Sequence, residues 1–149
     1  MQELSRLFAD ARARGDVQAI IDFVPYARLI GMEVAQMRGA QLIFQLPYRE
    51  RNVGNHLLPA LHGGVIGAFM EHSALLQILW NRQSDIVPKV IDFSIDYLRP
   101  GKPETIYAEC EVLRQGQRVA NVAVRTWQSD PNRTVTTARS HFLLSSPPR

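Results

Sequence analysis

A chain of 149 residues with 46% hydrophobic and 21% charged side chains has the size and make-up of one ordinary globular domain, which excludes a disordered or fibrous protein. A formal net charge of +3 tilts the surface basic, as suits an anionic small molecule. With no run of five Lys or Arg, no zinc-finger spacing and no aromatic RNA-binding signature, it argues against a nucleic-acid partner.

The first residues, MQELSRLFADARARGD, mix charges and lack the apolar stretch of a signal peptide. No segment carries the roughly 18 uninterrupted apolar residues of a membrane span, so no membrane partner and a cytoplasmic location are expected. Leu4, Leu7, Phe8 and Ala11 have helical spacing, and Gly15 interrupts the pattern before Ile20, Ile21, Phe23 and Val24. Residues 1–24 are therefore expected as two short helices or one broken helix, with Pro25 ending it or starting the next turn.

From Leu29 to Tyr48 the period becomes two, through Met32, Val34, Leu42, Phe44 and Leu46, with Arg38-Gly39 as a turn. A hairpin is expected there, followed by a loop over residues 49–61 that holds Gly54, two asparagines and Pro59. The stretch HGGVIGAFMEHSALLQILW predicts a helix over residues 62–81 whose apolar residues lie all round the wheel, so it must be buried on most sides. Four alternating runs follow, near 89–98, 104–114, 118–128 and 134–144, separated by Pro100-Gly101, Gln115-Gly116 and Asp130-Pro131-Asn132. The last five residues, 145–149, are expected to form a flexible tail. Two strands, an apolar helix and four more strands predict a single α+β domain spanning 1–149, with a curved antiparallel sheet wrapped around a long central helix.

Several side chains in this frame could carry chemistry. Glu71 sits midway along the apolar helix, where a carboxylate is costly to bury unless it is paired, protonated or faces a cavity. The bland alternative is a wet face on which Glu71 and His72 share a structural hydrogen bond. His62-Gly63-Gly64 would leave free N–H groups at the positive end of the helix dipole, suited to an oxygen that gains negative charge, or would simply form a tight turn. Glu71 lies nine residues beyond His62, about 13 Å along the axis and roughly half a turn around it, so the two cannot reach one carbonyl from the same helix. If both act, the site combines two subunits related by a two-fold axis.

Asn55 and His56, just upstream, could hold a water or a substrate carbonyl, or could cap the loop. Arg99 and Lys102 flank Pro100-Gly101, and Arg114 and Arg118 bracket Gly116; together they could bind nucleotide phosphates. His56, His62, His72 and His141 lack the paired spacing of zinc helices, so no metal is expected. Cys110, the single cysteine, cannot form an intrachain disulfide and reads as a buried thiol in a strand.

From Pro25 to Leu144 the chain resembles the hotdog-fold thioesterases of the phenylacetate-degradation type, within the 4-hydroxybenzoyl-CoA thioesterase-like superfamily. The landmarks are PYARLIGMEV, the asparagine- and histidine-bearing stretch that ends in LHGGV, Glu71, and IDFSIDYLRPGKP. The resemblance implies a hotdog fold, homodimers paired edge to edge and often homotetramers, and acyl-CoA hydrolysis without metal or other cofactor. It also implies Gly63 as oxyanion donor supported by His62, Glu71 as catalytic carboxylate, and Asn55 or His56 as the loop polar group. Many relatives carry a Ser or Thr to orient water where this chain has Val90; Ser73 or Ser94 could replace it, or the hydroxyl is dispensable. Two other functions compete: a non-catalytic acyl-CoA-binding protein, which accommodates Val90, and a hotdog enoyl-CoA hydratase or dehydratase, whose usual proline-glycine helix start is missing here.

Overall fold

The computed structural model of the chain describes residues 2–82 and 86–144, with the backbone alone for residues 2–5. The tail expected over 145–149 lies outside the described residues. Three helices precede the sheet: α1 Gln2–Arg14, α2 Val17–Phe23 and α3 Pro25–Ile30. Gly15 takes a positive φ of 67° between the first two, and the Asp16 carboxylate caps α2 by accepting from the Ala19 N–H at 3.1 Å. Pro25 opens α3, where its missing N–H costs nothing, and Gly31 closes it in the left-handed region at φ 83°. The strand pattern expected from Leu29 therefore starts late: residues 25–30 are helical, and β1 spans Glu33–Arg38.

Strand β2 Gln41–Leu46 completes the hairpin around Gly39 at φ 62°. The segment expected as plain loop holds a 3-10 turn at Glu50–Asn52 and a short pair of strands, β3 Val53–Asn55 and β4 Ala60–Leu61. Helix α4 covers Gly63–Arg82, and the remaining strands are β5 Lys89–Tyr97, β6 Ile106–Gln115, β7 Val119–Trp127 and β8 Thr134–Leu143. Strands β1, β2, β6, β7, β8 and β5, in that order, form one antiparallel six-stranded sheet. Because α4 intervenes between β2 and β5, the chain re-enters at the opposite margin, which leaves β5 as an edge strand.

The inner sheet face supplies Phe44, Ile106, Ala108, Val122, Val124 and Phe142, packed on Ile66, Phe69, Met70, Leu76 and Ile78 of α4. Cys110 is buried in this wall, and burial, with the Glu109 carboxylate beside it, pushes its thiol pKa far up, so it stays protonated. The N-terminal helices add Phe8, Ile20, Ile21 and Ile30 to the same core.

One polar side chain fastens the helix to the hairpin. Buried Gln77 accepts from the Leu42 N–H at 2.9 Å and donates to the Ala40 carbonyl at 2.8 Å and to Asn81 Oδ1 at 2.9 Å. Gln77→Leu fits the volume but strands the buried Leu42 N–H, so it should destabilise the fold by about 1–3 kcal/mol. A urea midpoint unchanged from the parent would show that this lock carries no stability.

Candidate functional site

The start of α4 is organised by His62. Its N–H donates to the Asn52 carbonyl at 2.8 Å, and its own carbonyl accepts from Val65 and Ile66 at 3.0 and 3.1 Å. Its ring Nδ1 accepts from the Gly64 N–H at 2.9 Å, which places the proton of a neutral ring on Nε2. Buried Asn52 anchors this arrangement by donating from Nδ2 to the Ile30 carbonyl at 2.9 Å. Beneath it, Gly54 lies so close that an added Cβ would meet His62 Cα at 2.7 Å. With the Gly64 amide capped, the Gly63 N–H is left without a partner among the described residues, at the positive end of the 20-residue helix.

The Tyr97 hydroxyl donates to the Gly63 carbonyl at 2.6 Å, which ties the last residue of β5 to the first of α4. A cavity of ≈ 360 Å³ opens at this corner, bounded by Leu61, Gly63, Ile66, Tyr97, Arg99 and Gly101.

Helix α4 is not buried all round. Gly64, Ala68, Glu71 and Leu75 fall within about 60° of one another on the helical wheel, and all four stay partly exposed. On one side of this stripe, Gly67 faces Phe93, Ile95 and Tyr97 of β5. On the other, His72 faces Tyr26 of α3, ring centroids 6.1 Å apart. The stripe is thus the floor of a groove between β5 on one side and the His72–Tyr26 pair on the other. Glu71 is the one ionisable side chain among the four floor residues, and it has no hydrogen bond or ion pair among the described residues.

The structural bond between Glu71 and His72 is absent. His72 Nδ1 instead donates to the Ala68 carbonyl one turn back, at 2.7 Å. From Gly63 to Glu71 the rise is about 12 Å, so the free amide and the carboxylate stand apart within one chain.

Asn55 and His56 remain outside this groove's polar network. Asn55 Oδ1 accepts from the Leu57 and Leu58 N–H groups at 2.9 and 3.1 Å, which is loop capping, while His56 is exposed in the turn that follows. The four basic residues divide into two pairs. Arg99 and Lys102 lie at the sheet end near Gly63, with the Arg99 guanidinium donating to the Thr134 carbonyl; Arg114 and Arg118 lie at the β6–β7 turn. Ten-residue β6 separates the pairs by about 30 Å, so one chain does not bring them together.

Neither serine stands in for a hydroxyl at Val90. Val90 pairs with core-facing Phe142 and so lies on the helix side of β5. Ser94 alternates with Phe93 and Ile95, and with Asp92 and Asp96 it lines a broad depression on the outer sheet face, where Asp92 also meets His141 Nδ1 at 3.1 Å. Ser73 is fully buried and donates to the Phe69 carbonyl at 2.7 Å. Among the described residues no three His, Cys, Asp or Glu side chains come together as a metal site, and no helix is long and apolar enough to cross a membrane.

Sequence reasoning gave no separate role to Asn52, Tyr97 or Tyr26. The alternation Phe93, Ile95, Tyr97 was the available signal for Tyr97; nothing in the local pattern distinguishes Asn52 from the other loop asparagine.

Comparison with known proteins gives consistent findings. The family model described as the thioesterase superfamily matches residues 58–135, just over half of the chain. The medium/long-chain acyl-CoA thioesterase YigI of Escherichia coli is 33% identical over 112 residues, covering 65% of this chain and 71% of that protein. A Chromobacterium violaceum protein of known crystal structure is 45% identical, with a TM-score of 0.77, covering 97% of this chain and 98% of that one. The E. coli PaaI protein from the phenylacetic acid degradation operon shares the fold at 18% identity, with a TM-score of 0.76 over 91% of this chain and 94% of that one.

The geometry gives His62 a capping role that substitution can isolate. His62→Ala removes the acceptor for the Gly64 N–H and should cost about 0.5–2 kcal/mol, whereas His62→Asn supplies a capping oxygen and should recover most of it. Equal thermal midpoints for the two variants would rule the cap out.

Proposed function

We propose, from the premise that the chain belongs to the thioesterase superfamily, that it hydrolyses acyl-CoA thioesters to the free acid and CoA in a site shared by two copies of the chain. The observation that carries the reading is Glu71, a carboxylate without a protein partner on the open floor of this groove. The thioester carbonyl oxygen accepts from the Gly63 N–H of one protomer, and Glu71 of the partner subunit faces the carbonyl carbon. Whether that carboxylate takes a proton from an attacking water or adds to the carbon itself, the negative charge collects on the oxygen at Gly63. Collapse of the adduct breaks the C–S bond, and the CoA sulfur leaves as thiolate; where Glu71 itself has added, water then hydrolyses the acyl–Glu71 anhydride to give the free acid and restore the carboxylate. The reaction needs neither metal nor further cofactor.

The edge strand supports a two-copy site. β5 leaves one row of backbone groups unpaired and exposes Val90, Ile91 and Tyr97, a surface suited to antiparallel pairing with a second β5. A two-fold axis there reverses the partner, so the Gly63 end of one α4 lies toward the Glu71 of the partner subunit. The same reversal turns Arg114 and Arg118 of the partner subunit toward the end that holds Arg99 and Lys102, as a nucleotide tail spanning both protomers requires. Val90 favours the rival reading of a non-catalytic acyl-CoA binder, and release of free thiol from acyl-CoA separates the two.

Glu71→Gln should lower kcat by at least about 100-fold with fold and oligomer intact. Mixing it with Gly63→Pro should restore activity, because proline is tolerated at a first helical position and deletes the donor N–H. Its ring would press on the Tyr97 side chain, 3.2 Å from an added Cβ, so folding and pairing of that variant are checked by circular dichroism and sedimentation. With random exchange about half the dimers are mixed and each has one intact site, so recovery approaches about a quarter of wild type. Properly exchanged heterodimers that stay dead would sink the shared site. Lys102→Ala, an exposed change, should raise KM for acyl-CoA more than it lowers kcat, and should leave a nucleotide-free pantetheine thioester unaffected.

A further inference from the structure

We infer that helix α3 is the acyl-chain wall of the site, with Tyr26 and Leu29 selecting hydrocarbon acyl groups by length. This inference rests on the reading of Glu71 as the group that faces the thioester carbonyl. Once the carbonyl carbon is at Glu71, the acyl chain has to continue along the groove that holds that carboxylate. The floor beyond Glu71 is Leu75, and the wall beside it is formed by His72 and Tyr26, whose rings lie 6.1 Å apart with an interplanar angle of 37°.

Tyr26 and Leu29 stand three residues apart on α3, and share one face of it. They are 45% and 54% exposed, so this face of α3 presents apolar surface where Tyr26 meets the His72 ring. Isolated exposed apolar side chains are ordinary, but an exposed pair on the helix face that meets His72 calls for an occupant. A hydrocarbon chain suits it, because no charged side chain lies among Leu75, Tyr26 and Leu29.

The wall is also fixed in place, as selection by length requires. Pro25 sets its start, and its last carbonyl, at Ile30, accepts from buried Asn52, the residue that also accepts from the His62 N–H. The Arg49 guanidinium covers Gly31 at its end, where a φ of 83° favours glycine. His72 is held by the Ala68 carbonyl, which steadies the ring that Tyr26 rests against. The same loop therefore positions both the Gly63 end of the site and the wall.

The test measures kcat/KM for butyryl-, octanoyl- and dodecanoyl-CoA, together with Kd for the matching S-alkyl-CoA thioethers, which cannot be hydrolysed. Tyr26→Ala should lower kcat/KM and weaken thioether binding for the dodecyl chain by about tenfold or more, chiefly through KM, while changing the butyryl values less than about twofold. Tyr26→Phe should keep the parent's profile. A uniform loss across chain lengths, no loss, or dissociation of the dimer by Tyr26→Ala would overturn the inference, the last by showing that a second copy covers this face. Chain-length-dependent thioether binding without hydrolysis would uphold the wall and defeat the thioesterase reading. Hydrolysis without a chain-length effect of Tyr26→Ala would do the opposite.

Discussion

Everything in this fold follows from the need to hide one helix. Of the twenty residues of α4, Ile66, Phe69, Met70, Leu76, Ile78 and Leu79 are buried at 2% exposure or less, and each contributes about 1.5–3 kcal/mol when taken from water. An antiparallel sheet with natural twist can curl around such a helix, but a sheet of six strands cannot close on itself with a helix inside. The remaining arc is partly covered by α2 and α3. What neither reaches is the stripe from Gly64 to Leu75, where the lone carboxylate sits. The candidate site is therefore the gap left by an incomplete wrap.

The loop before α4 determines how that gap is used. A helix start carries four amides without internal partners, and a buried start needs all of them satisfied. Here the Gly64 amide is taken by the His62 ring, while the amide of Gly63, a residue that borders a cavity, has none among the described residues. Glycine at 63 and 64 keeps side chains off the approach: a Cβ on Gly64 would press on the His62 ring at 3.0 Å and one on Gly63 on the Tyr97 ring at 3.2 Å. Asn52 ties the arrangement to α3, so the helix start and the groove wall share one anchor.

Those parts of the chain that bury a periodic face were legible in the sequence. Helix α4 and strands β5 to β8 lie within a residue or two of the expected bounds, because a largely apolar helix and alternating strands leave little choice. Helix α3 was not legible, since Leu29, Met32 and Val34 fit a strand as well as a helix end, and a proline start with a glycine stop decided it. The little β3–β4 pair was hidden by loop composition, its register being broken between Val53 and Asn55. The side-chain network at the site was legible only in outline. Sequence marks His62, Gly63 and Glu71 as unusual, but it cannot tell that the His62 ring caps Gly64, that Ser94 turns away from the helix, or that Arg114 is a strand's length from Lys102. Each of these depends on register and distance across elements remote in sequence.

The separation of the free amide from the carboxylate gives the two-copy reading its force. A helix that carried both groups on one turn could act alone, and its edge strand would serve no chemical purpose. Here about 12 Å divides them, close to eight residues of rise, and neither can swing toward the other because both belong to a helix locked by its core and by Gln77. Antiparallel pairing of two identical helices cancels that offset, since the displacement from Gly63 to Glu71 in one is met by the reverse displacement in the other. The unpaired margin of β5 then serves two ends at once. On that reading it would satisfy its own backbone groups and would bring together the amide and the carboxylate that the single chain holds apart.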